Sequence, residues 1–201
     1  QVKQVIMLTS SVPKEGKTIL SFALAQNMLG LGKRILLIEA DIRRCTHSVE
    51  IDRNNTVALL DLMVADKKWK EVNLYVEELG FDILTATRSN ENAADLFASE
   101  RFSKLLTELR EYYDYIIIDS PPVLAVPDAR LIGTITDANI YVVEWNKTTR
   151  AEVVQGLEML TNIGVNTIGL VLNQVDTQKA KSYGSTGSYG YGVNGSEYYE
   201  S

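Results

Sequence analysis

The sequence predicts an α/β protein with a mostly parallel central sheet covered by helices on both faces. Apolar runs of strand length alternate along the chain with helical patterns, and that order is typical of βαβ units. Several of the runs are unbroken stretches of Ile, Leu and Val, as at residues 35–38 and 116–118, which indicates strands buried on both faces. A chain of 201 residues has the length of one such domain.

The predicted elements follow from two periodicities. Short runs of Ile, Val, Leu or Phe predict strands, and apolar residues recurring every three or four positions predict helices. In chain order the elements are strand 2–9, helix 17–29, strand 34–39, helix 57–64, strand 81–86, helix 93–112, strand 115–119, helix 128–135, strand 140–144, helix 150–162 and strand 167–172.

The C-terminal segment has a different composition from the rest of the chain. Beyond residue 176 aliphatic residues become rare, and residues 182–201 are rich in Gly, Ser and Tyr. Such a segment buries too little apolar surface to offset the entropy of ordering. We therefore predict a domain at 1–176 and a flexible tail at 177–201. Half of the ten tyrosines lie in this tail, namely Tyr183, Tyr189, Tyr191, Tyr198 and Tyr199. Their concentration argues against a low-complexity linker.

Charge and composition exclude several classes of function. Twenty basic against 26 acidic residues give a net charge of −6, which disfavours nucleic acid as a partner. One cysteine and one histidine allow neither an internal disulfide nor a Cys/His zinc site. A bound metal ion would therefore have oxygen ligands. No apolar run reaches the ~18 residues of a membrane-spanning helix, so the sequence predicts a cytoplasmic domain.

Residues 11–18, SVPKEGKT, follow the first strand and open the first helix, which is the position of a phosphate-binding loop. There, backbone N–H groups and the helix N-terminus face phosphate oxygens. Ser11 replaces the usual first glycine of the motif. A chance Gly-Lys-Thr is the alternative, and the strand–loop–helix setting disfavours it. The predicted nucleotide-binding residues are Val12, Pro13, Lys14, Glu15, Gly16, Lys17 and Thr18, with Lys17 on the β- and γ-phosphates and Thr18 on Mg²⁺.

Carboxylates follow two of the predicted strands. Glu39 and Asp41 follow the buried run at 35–38, and Asp119 ends the run YDYIII. Taken singly, each is also compatible with a solvated strand cap. Together with the phosphate-binding loop they converge on the edge where open α/β sheets bind ligands, and phosphoryl transfer needs Mg²⁺ carboxylate ligands near the phosphates.

Three segments, SSVPKEGKT, LLIEADIRR and YDYIIIDSPP, together with the tyrosine-rich tail, resemble the cytoplasmic domain of bacterial tyrosine kinases that regulate capsule and exopolysaccharide production. The resemblance runs from Val5 to the tail. It implies a P-loop ATPase fold, ATP and Mg²⁺ as cofactors, and autophosphorylation of the tail tyrosines. It places Lys17 on phosphate, with Thr18, Asp41 and Asp119 at Mg²⁺.

The resemblance leaves individual roles open. Glu39 stands where the family usually has aspartate, so the catalytic base that activates the tyrosine hydroxyl is Glu39 or Asp41. Lys14 stands where the family usually has glycine. Asn173 resembles a position that contacts adenine in related ATPases, and an ordinary strand-end cap is the alternative. The segment with Asp128 and Arg130 resembles the phosphate-sensing switch after Walker B. Cys45 stands where the family usually has proline.

The resemblance also implies partners. It predicts a homo-oligomer whose tails are phosphorylated in trans, a membrane activator or chain-length regulator domain, either fused upstream or separate, a cognate phosphotyrosine phosphatase, and a peripheral location at the inner face of the membrane. Two other functions remain open. Partitioning and division-site ATPases share the motifs but carry a lysine where this chain has Val12, and a nucleotide-dependent regulator would lack kinase activity.

Overall fold

The computed structural model describes residues 3–42, 59–64, 68–85 and 93–183. Its centre is a seven-stranded sheet in the order β3-β4-β2-β5-β1-β6-β7. All neighbouring pairs are parallel except β3 and β4, which are antiparallel. The strands are β1 Val5–Ser10, β2 Ile35–Glu39, β3 Tyr75–Val76, β4 Phe81–Leu84, β5 Tyr115–Asp119, β6 Ala138–Glu144 and β7 Thr167–Asn173. The predicted α/β architecture is confirmed.

Helices connect the strands. They are α1 Lys17–Gly30, α2 Leu59–Val64, α3 Ala93–Ala98, α4 Glu100–Arg110, α5 Asp128–Gly133, α6 Arg150–Thr161 and α7 Thr177–Tyr183, with a 3₁₀ turn at Trp69–Glu71. Among the described residues, no helix is both long and apolar enough to cross a membrane.

The core consists of two clusters, one on each face of the sheet. Ile6 and Leu8 of β1 pack with Phe22 and Ala25 of α1. Val5 and Met7, the alternate residues of the same strand, belong to a larger cluster with α2 to α6. Because successive side chains of a strand point to opposite faces, a strand covered on both sides has to be apolar at every position. The unbroken apolar runs in the sequence reflect this requirement.

The predicted helix at 93–112 is two helices. Ser99 separates α3 from α4, and its side-chain oxygen accepts a hydrogen bond from the N–H of Phe102. Serine is a favoured N-cap because its short side chain satisfies a donor that has no partner within the helix. The two-residue strand β3 was not predicted, since it is too short to give an alternating pattern.

The prediction of a flexible tail from residue 177 needs correction at its start. Residues 177–183 form α7, and the Asp176 carboxylate accepts hydrogen bonds from the N–H groups of Gln178 and Lys179. Aspartate at this position caps a helix start. The backbone of Tyr183 therefore belongs to a helix. The other predicted phosphorylation sites lie outside the described residues: Tyr189, Tyr191, Tyr198 and Tyr199.

Asp137 connects three parts of the chain. Its carboxylate accepts hydrogen bonds from the N–H groups of Gln4 and Val5 at the start of β1 and from both terminal nitrogens of Arg110, at 2.7 and 3.0 Å, at the end of α4. Burial by itself would raise the pKa of Asp137, but the Arg110 guanidinium and the two N–H groups hold it below its ordinary value. The ionised form of Asp137 therefore stabilises the folded state.

We expect Asp137→Ala to lower the free energy of unfolding by about 2–3 kcal/mol at pH 7, because donors to a charged acceptor lose their partner. A carboxyl whose pKa is lowered on folding contributes stability above its unfolded pKa of about 3.9, and this is lost as the pH falls through the lower folded value. Urea denaturation at pH 7 and pH 3 tests this, and the difference from wild type has to shrink at pH 3.

Lys104→Ala is the matched control, because its ion pair with Glu100 is exposed and such pairs contribute under about 0.5 kcal/mol. Equal losses in the two variants would contradict the stabilising role of Asp137.

Candidate functional site

Residues 11–16 form a loop between β1 and α1 at the carboxyl edge of the sheet. Gly16 has a φ of 86°, a left-handed backbone that favours glycine, and a Cβ there would displace the side-chain amide of Asn173. Gly16 is the N-cap of α1, and no side chain caps the helix. The first N–H groups of a helix have no acceptor within it. Here they are placed to bind an anion.

Lys14 also has a left-handed backbone, with a φ of 72°. A lysine in this conformation brings its Cβ too close to the following carbonyl oxygen. Glycine, which the resemblance noted above leads us to expect at this position, would avoid that strain. The sequence showed lysine in place of the expected glycine, and the structure shows that this lysine has a strained, left-handed backbone.

Lys17 and Thr18, the first residues of α1, point to neighbouring strand ends. The Lys17 side chain is only 8% exposed, and its Nζ donates a hydrogen bond to Oγ of Ser10 at 2.9 Å. The Thr18 hydroxyl donates to Oδ2 of Asp119 at 2.6 Å. The structure thus brings together Lys17, Thr18 and Asp119, which the sequence predicted for the phosphate site from two separate segments.

Asp119 is a buried carboxyl of the site with a shifted pKa. It ends β5, next to Glu39 of β2, and it is buried. Burial, with the nearby Glu39 and Asp41 carboxylates, raises the pKa of Asp119 to about 7 against the lowering effect of the Thr18 hydroxyl and Lys17. Its Oδ1 atom is buried and has no hydrogen-bond partner within the described part of the chain. A cation at this oxygen would stabilise the ionised carboxylate.

This arrangement fits Mg²⁺ bound together with a nucleotide. Mg²⁺ prefers oxygen ligands and is usually held by one or two carboxylates plus substrate phosphates. Thr18, Asp41 and Asp119 line the same cavity and supply such oxygens. The described ranges contain no group of three Asp, Glu, His or Cys side chains suited to a metal ion.

The cavity has a volume of about 280 Å³. Its lining includes most of the predicted site and four residues that the sequence analysis missed, namely Ile19, Ser120, Pro122 and Gln174. Ser120 and Pro122 follow directly on the strand end at Asp119, so adjacency to that motif could have identified them. Gln174 gave no sequence signal. The predicted residues in the lining are Pro13, Lys14, Gly16, Lys17, Thr18, Asp41 and Asp119.

Four predicted site residues are not in the lining. Val12 donates its N–H to the Glu15 carboxylate, and the Glu15 side chain is buried beneath the loop. Glu39 is half-buried beside Asp119. Asn173 donates from its side-chain amide to the Glu15 carbonyl oxygen, so it braces the loop from β7.

The predicted switch residues lie in α5. Asp128 is buried, and Nε of Arg130 is buried without a hydrogen-bond partner in the part of the chain that the structure describes. Neither residue lines the cavity.

Comparison with known proteins identifies an AAA domain over residues 4–177. The chain is 31% identical to the tyrosine-protein kinase YwqD of Bacillus subtilis, covering 91% of this chain and 77% of YwqD. It is 30% identical to the putative tyrosine-protein kinase CapB of Staphylococcus aureus, covering 89% and 78% of the two chains.

Solved structures give the same likeness. The kinase domain of the Escherichia coli tyrosine kinase ETK matches with a TM-score of 0.82 and 28% identity, over 94% of this chain and 72% of that domain. The cell division protein MinD of Aquifex aeolicus matches with a TM-score of 0.73 over 90% and 73% of the two chains, but at 20% identity, which shows a common fold alone.

We expect Lys14→Gly to raise the free energy of unfolding by up to about 1 kcal/mol, because relief of the left-handed strain exceeds the entropy that glycine adds to the unfolded chain. Lys33→Gly is the control: Lys33 is also an exposed loop lysine, but its φ is not positive, so the same change should cost about 0.5–1 kcal/mol. Thermal and chemical denaturation measure both. Equal destabilisation would show that Lys14 carries no backbone strain.

Proposed function

The chain belongs to the bacterial tyrosine-protein kinases of the AAA-domain family, and we propose that it transfers the γ-phosphoryl group of ATP to tyrosines of its own tail, residues 177–201. The observation that carries this proposal is the cavity in which Lys17, Thr18 and Asp119 meet at one edge of the sheet. The tail of the same chain supplies five tyrosines.

In this proposal the loop and the start of α1 bind the phosphates. The N–H groups of the first helical turn donate to phosphate oxygens. Lys17 exchanges its hydrogen bond to Ser10 for the β- and γ-phosphate oxygens, where its charge offsets the charge of the transition state. The Thr18 hydroxyl, which here donates to Asp119, would be one of the oxygen ligands that hold Mg²⁺. When bound, Mg²⁺ would neutralise negative charge that develops on the transferring group.

We place the proton-accepting role on Asp41. Asp41 lines the cavity and Glu39 does not. As the tyrosine oxygen bonds to the γ-phosphorus, its proton passes to the Asp41 carboxylate, and the bond from the γ-phosphorus to the bridging oxygen of ADP breaks. With Thr18 and Asp119 available as metal ligands, Asp41 can accept this proton. Glu39, beside Asp119 in the sheet register, adds to the negative field that favours a cation.

The tail is proposed to reach the site of a neighbouring molecule in a homo-oligomer. In this proposal the residues that follow α7 act as the flexible chain that their composition predicts, and about 18 such residues span roughly 25 Å, enough to reach across a contact between two domains. Each phosphate adds about −1.5 to −2 charges at pH 7, so five would add about −7.5 to −10 to a chain that already carries −6. Repulsion of this size would loosen the assembly, which links phosphorylation to disassembly.

The biological setting that we propose follows from the relatives. One is described as a putative tyrosine-protein kinase in the cps region of Klebsiella pneumoniae, and we infer a role in regulating capsule or exopolysaccharide synthesis or export. The proposed partners are a membrane activator domain, fused upstream or separate, and a phosphotyrosine phosphatase that resets the tail. The proposed location is the cytoplasmic face of the membrane.

We expect Lys17→Met to fold normally and to slow autophosphorylation by about 10²-fold or more, because the variant lacks the positive charge that contacts the transferring phosphate. Anti-phosphotyrosine blotting after incubation with ATP and Mg²⁺ measures the loss, and circular dichroism checks folding. Substantial phosphotyrosine in this variant would reject the assignment of the phosphate site.

The same variant tests transfer between molecules. Lys17→Met protein with an intact tail is mixed with an active chain that ends at residue 176, and phosphotyrosine is expected on the inactive partner. In a separate reaction the intact wild-type chain is labelled alone. If the mixture stays unlabelled while the wild-type chain is labelled at a rate per molecule that does not depend on concentration, transfer takes place within one molecule.

Asp119→Asn should weaken binding of ATP in the presence of Mg²⁺ more than binding of ATP in EDTA, because the lost carboxylate balances the ion. We expect a loss of about tenfold or more with Mg²⁺ and about threefold or less without it. Titration of a fluorescent ATP analogue measures both. The same loss under the two conditions would make Asp119 a structural cap.

A further inference from the structure

Glu15 is a fully buried carboxylate within the phosphate-binding loop. One of its oxygens, Oε2, accepts a hydrogen bond from the N–H of Val12 at 2.7 Å. The other, Oε1, accepts from the N–H of Glu144 at 3.1 Å and from the Thr148 hydroxyl. A buried charge is costly unless hydrogen bonds compensate for its lost hydration, and these three donors do so.

Two of the three donors to Glu15 belong to a distant part of the chain. Glu144 ends β6, and Thr148 lies in the turn that leads into α6. The next residue, Thr149, is the N-cap of α6 and forms a capping box with Glu152. The Glu15 carboxylate therefore ties the phosphate-binding loop to a turn whose own shape is fixed by a capped helix.

Two side-chain amides at the end of β7 also reach this loop. Asn173 donates to the Glu15 carbonyl oxygen at 2.9 Å, and Gln174 donates to the Lys14 carbonyl oxygen at 3.1 Å. With these carbonyls held by Asn173 and Gln174, and the N–H of Val12 held by the Glu15 carboxylate, the loop backbone is fixed at three points. The N–H groups at the start of α1 are then left to face the phosphates.

We propose that Glu15 is a positioning residue for phosphoryl transfer. Its carboxylate holds residues 12–16 in the shape that binds the phosphates, and through Thr148 that shape depends on the turn between β6 and α6. This inference rests on the proposed nucleotide site. It adds a residue that does not line the cavity.

The three groups that donate to Glu15 fit a carboxylate and do not fit an amide. Backbone N–H groups donate and cannot accept, so both oxygens of Glu15 have to be acceptors. In Glu15→Gln one end of the side chain is an NH₂ group, which would face the N–H of Val12 or of Glu144. Glutamine has almost the same shape, so this variant breaks the brace with little change of volume.

The experiment compares nucleotide affinity, turnover and stability in one set of variants. We measure the Kd for ADP in EDTA, the rate of phosphotyrosine formation at saturating ATP and Mg²⁺, and Tm. Glu15→Gln is expected to weaken ADP binding about tenfold and to slow turnover about tenfold or more, because small displacements of positioning groups are costly. Thr148→Val is expected to show a smaller loss of about threefold, and Thr148→Ser, which keeps the hydroxyl, to bind and react like wild type.

Tyr113→Phe is the matched control for stability. It removes the hydroxyl of a buried tyrosine, which donates to Asp82 of β4 at 2.6 Å, and neither residue lines the nucleotide cavity. We expect it to lower Tm and to leave ADP affinity and turnover unchanged. The double variant Glu15→Gln/Thr148→Val should be no worse than Glu15→Gln, since both changes break the same brace.

A Glu15→Gln protein with a lowered Tm but wild-type ADP affinity and turnover would overturn the proposal and leave Glu15 a structural residue. If Glu15→Gln does not fold, the Thr148→Val and Thr148→Ser pair decides: equal behaviour of the two would also overturn it. Failure of the proposed function appears differently, because the wild-type protein itself would then bind no ADP or form no phosphotyrosine.

Discussion

The hydrogen bond from the Thr18 hydroxyl to the Asp119 carboxylate, 2.6 Å long, is the contact on which the site depends. It joins the first turn of α1 to the end of β5, two segments about a hundred residues apart in sequence. The carboxylate is buried, and its raised pKa shows that hydroxyl and lysine only partly offset the cost of burial. A cation held with a phosphorylated ligand would complete that compensation. We therefore understand the edge of the sheet as a site built for such a ligand.

The sheet order brings this contact about. β1 lies between β5 and β6, and β5 lies between β1 and β2. Since parallel strands end at the same edge, the loop after β1 meets Asp119 of β5 and the residues that follow β2. β6 and β7 end beside the loop on its other side, where Glu144, Thr148 and Asn173 contact it. The loop near the N-terminus is thus supported by residues that lie more than a hundred positions later in the chain.

Much of this site could be predicted from the sequence because its charged and hydroxyl side chains belong to short local motifs. Lys17 and Thr18 follow a strand and open a helix, and Asp41 and Asp119 follow buried apolar runs, so their meeting at one edge follows from parallel topology. The direction of the Glu15 side chain could not be predicted, since its partners at 144 and 148 come close only in the folded chain. The left-handed backbone of Lys14 could not be predicted either, because a lysine side chain does not indicate a positive φ. The break at Ser99 and the helix after Asp176 depend on single capping residues within longer patterns.

The most direct test of the central claim is to map phosphotyrosine by mass spectrometry after the wild-type protein has been incubated with ATP. With Mg²⁺ present, the account predicts phosphate on tyrosines of residues 177–201, and it predicts loss of that label when EDTA replaces Mg²⁺. Hydrolysis of ATP without any phosphotyrosine in the tail would contradict the account, and would place the chain among ATPases that share this fold but do not phosphorylate protein.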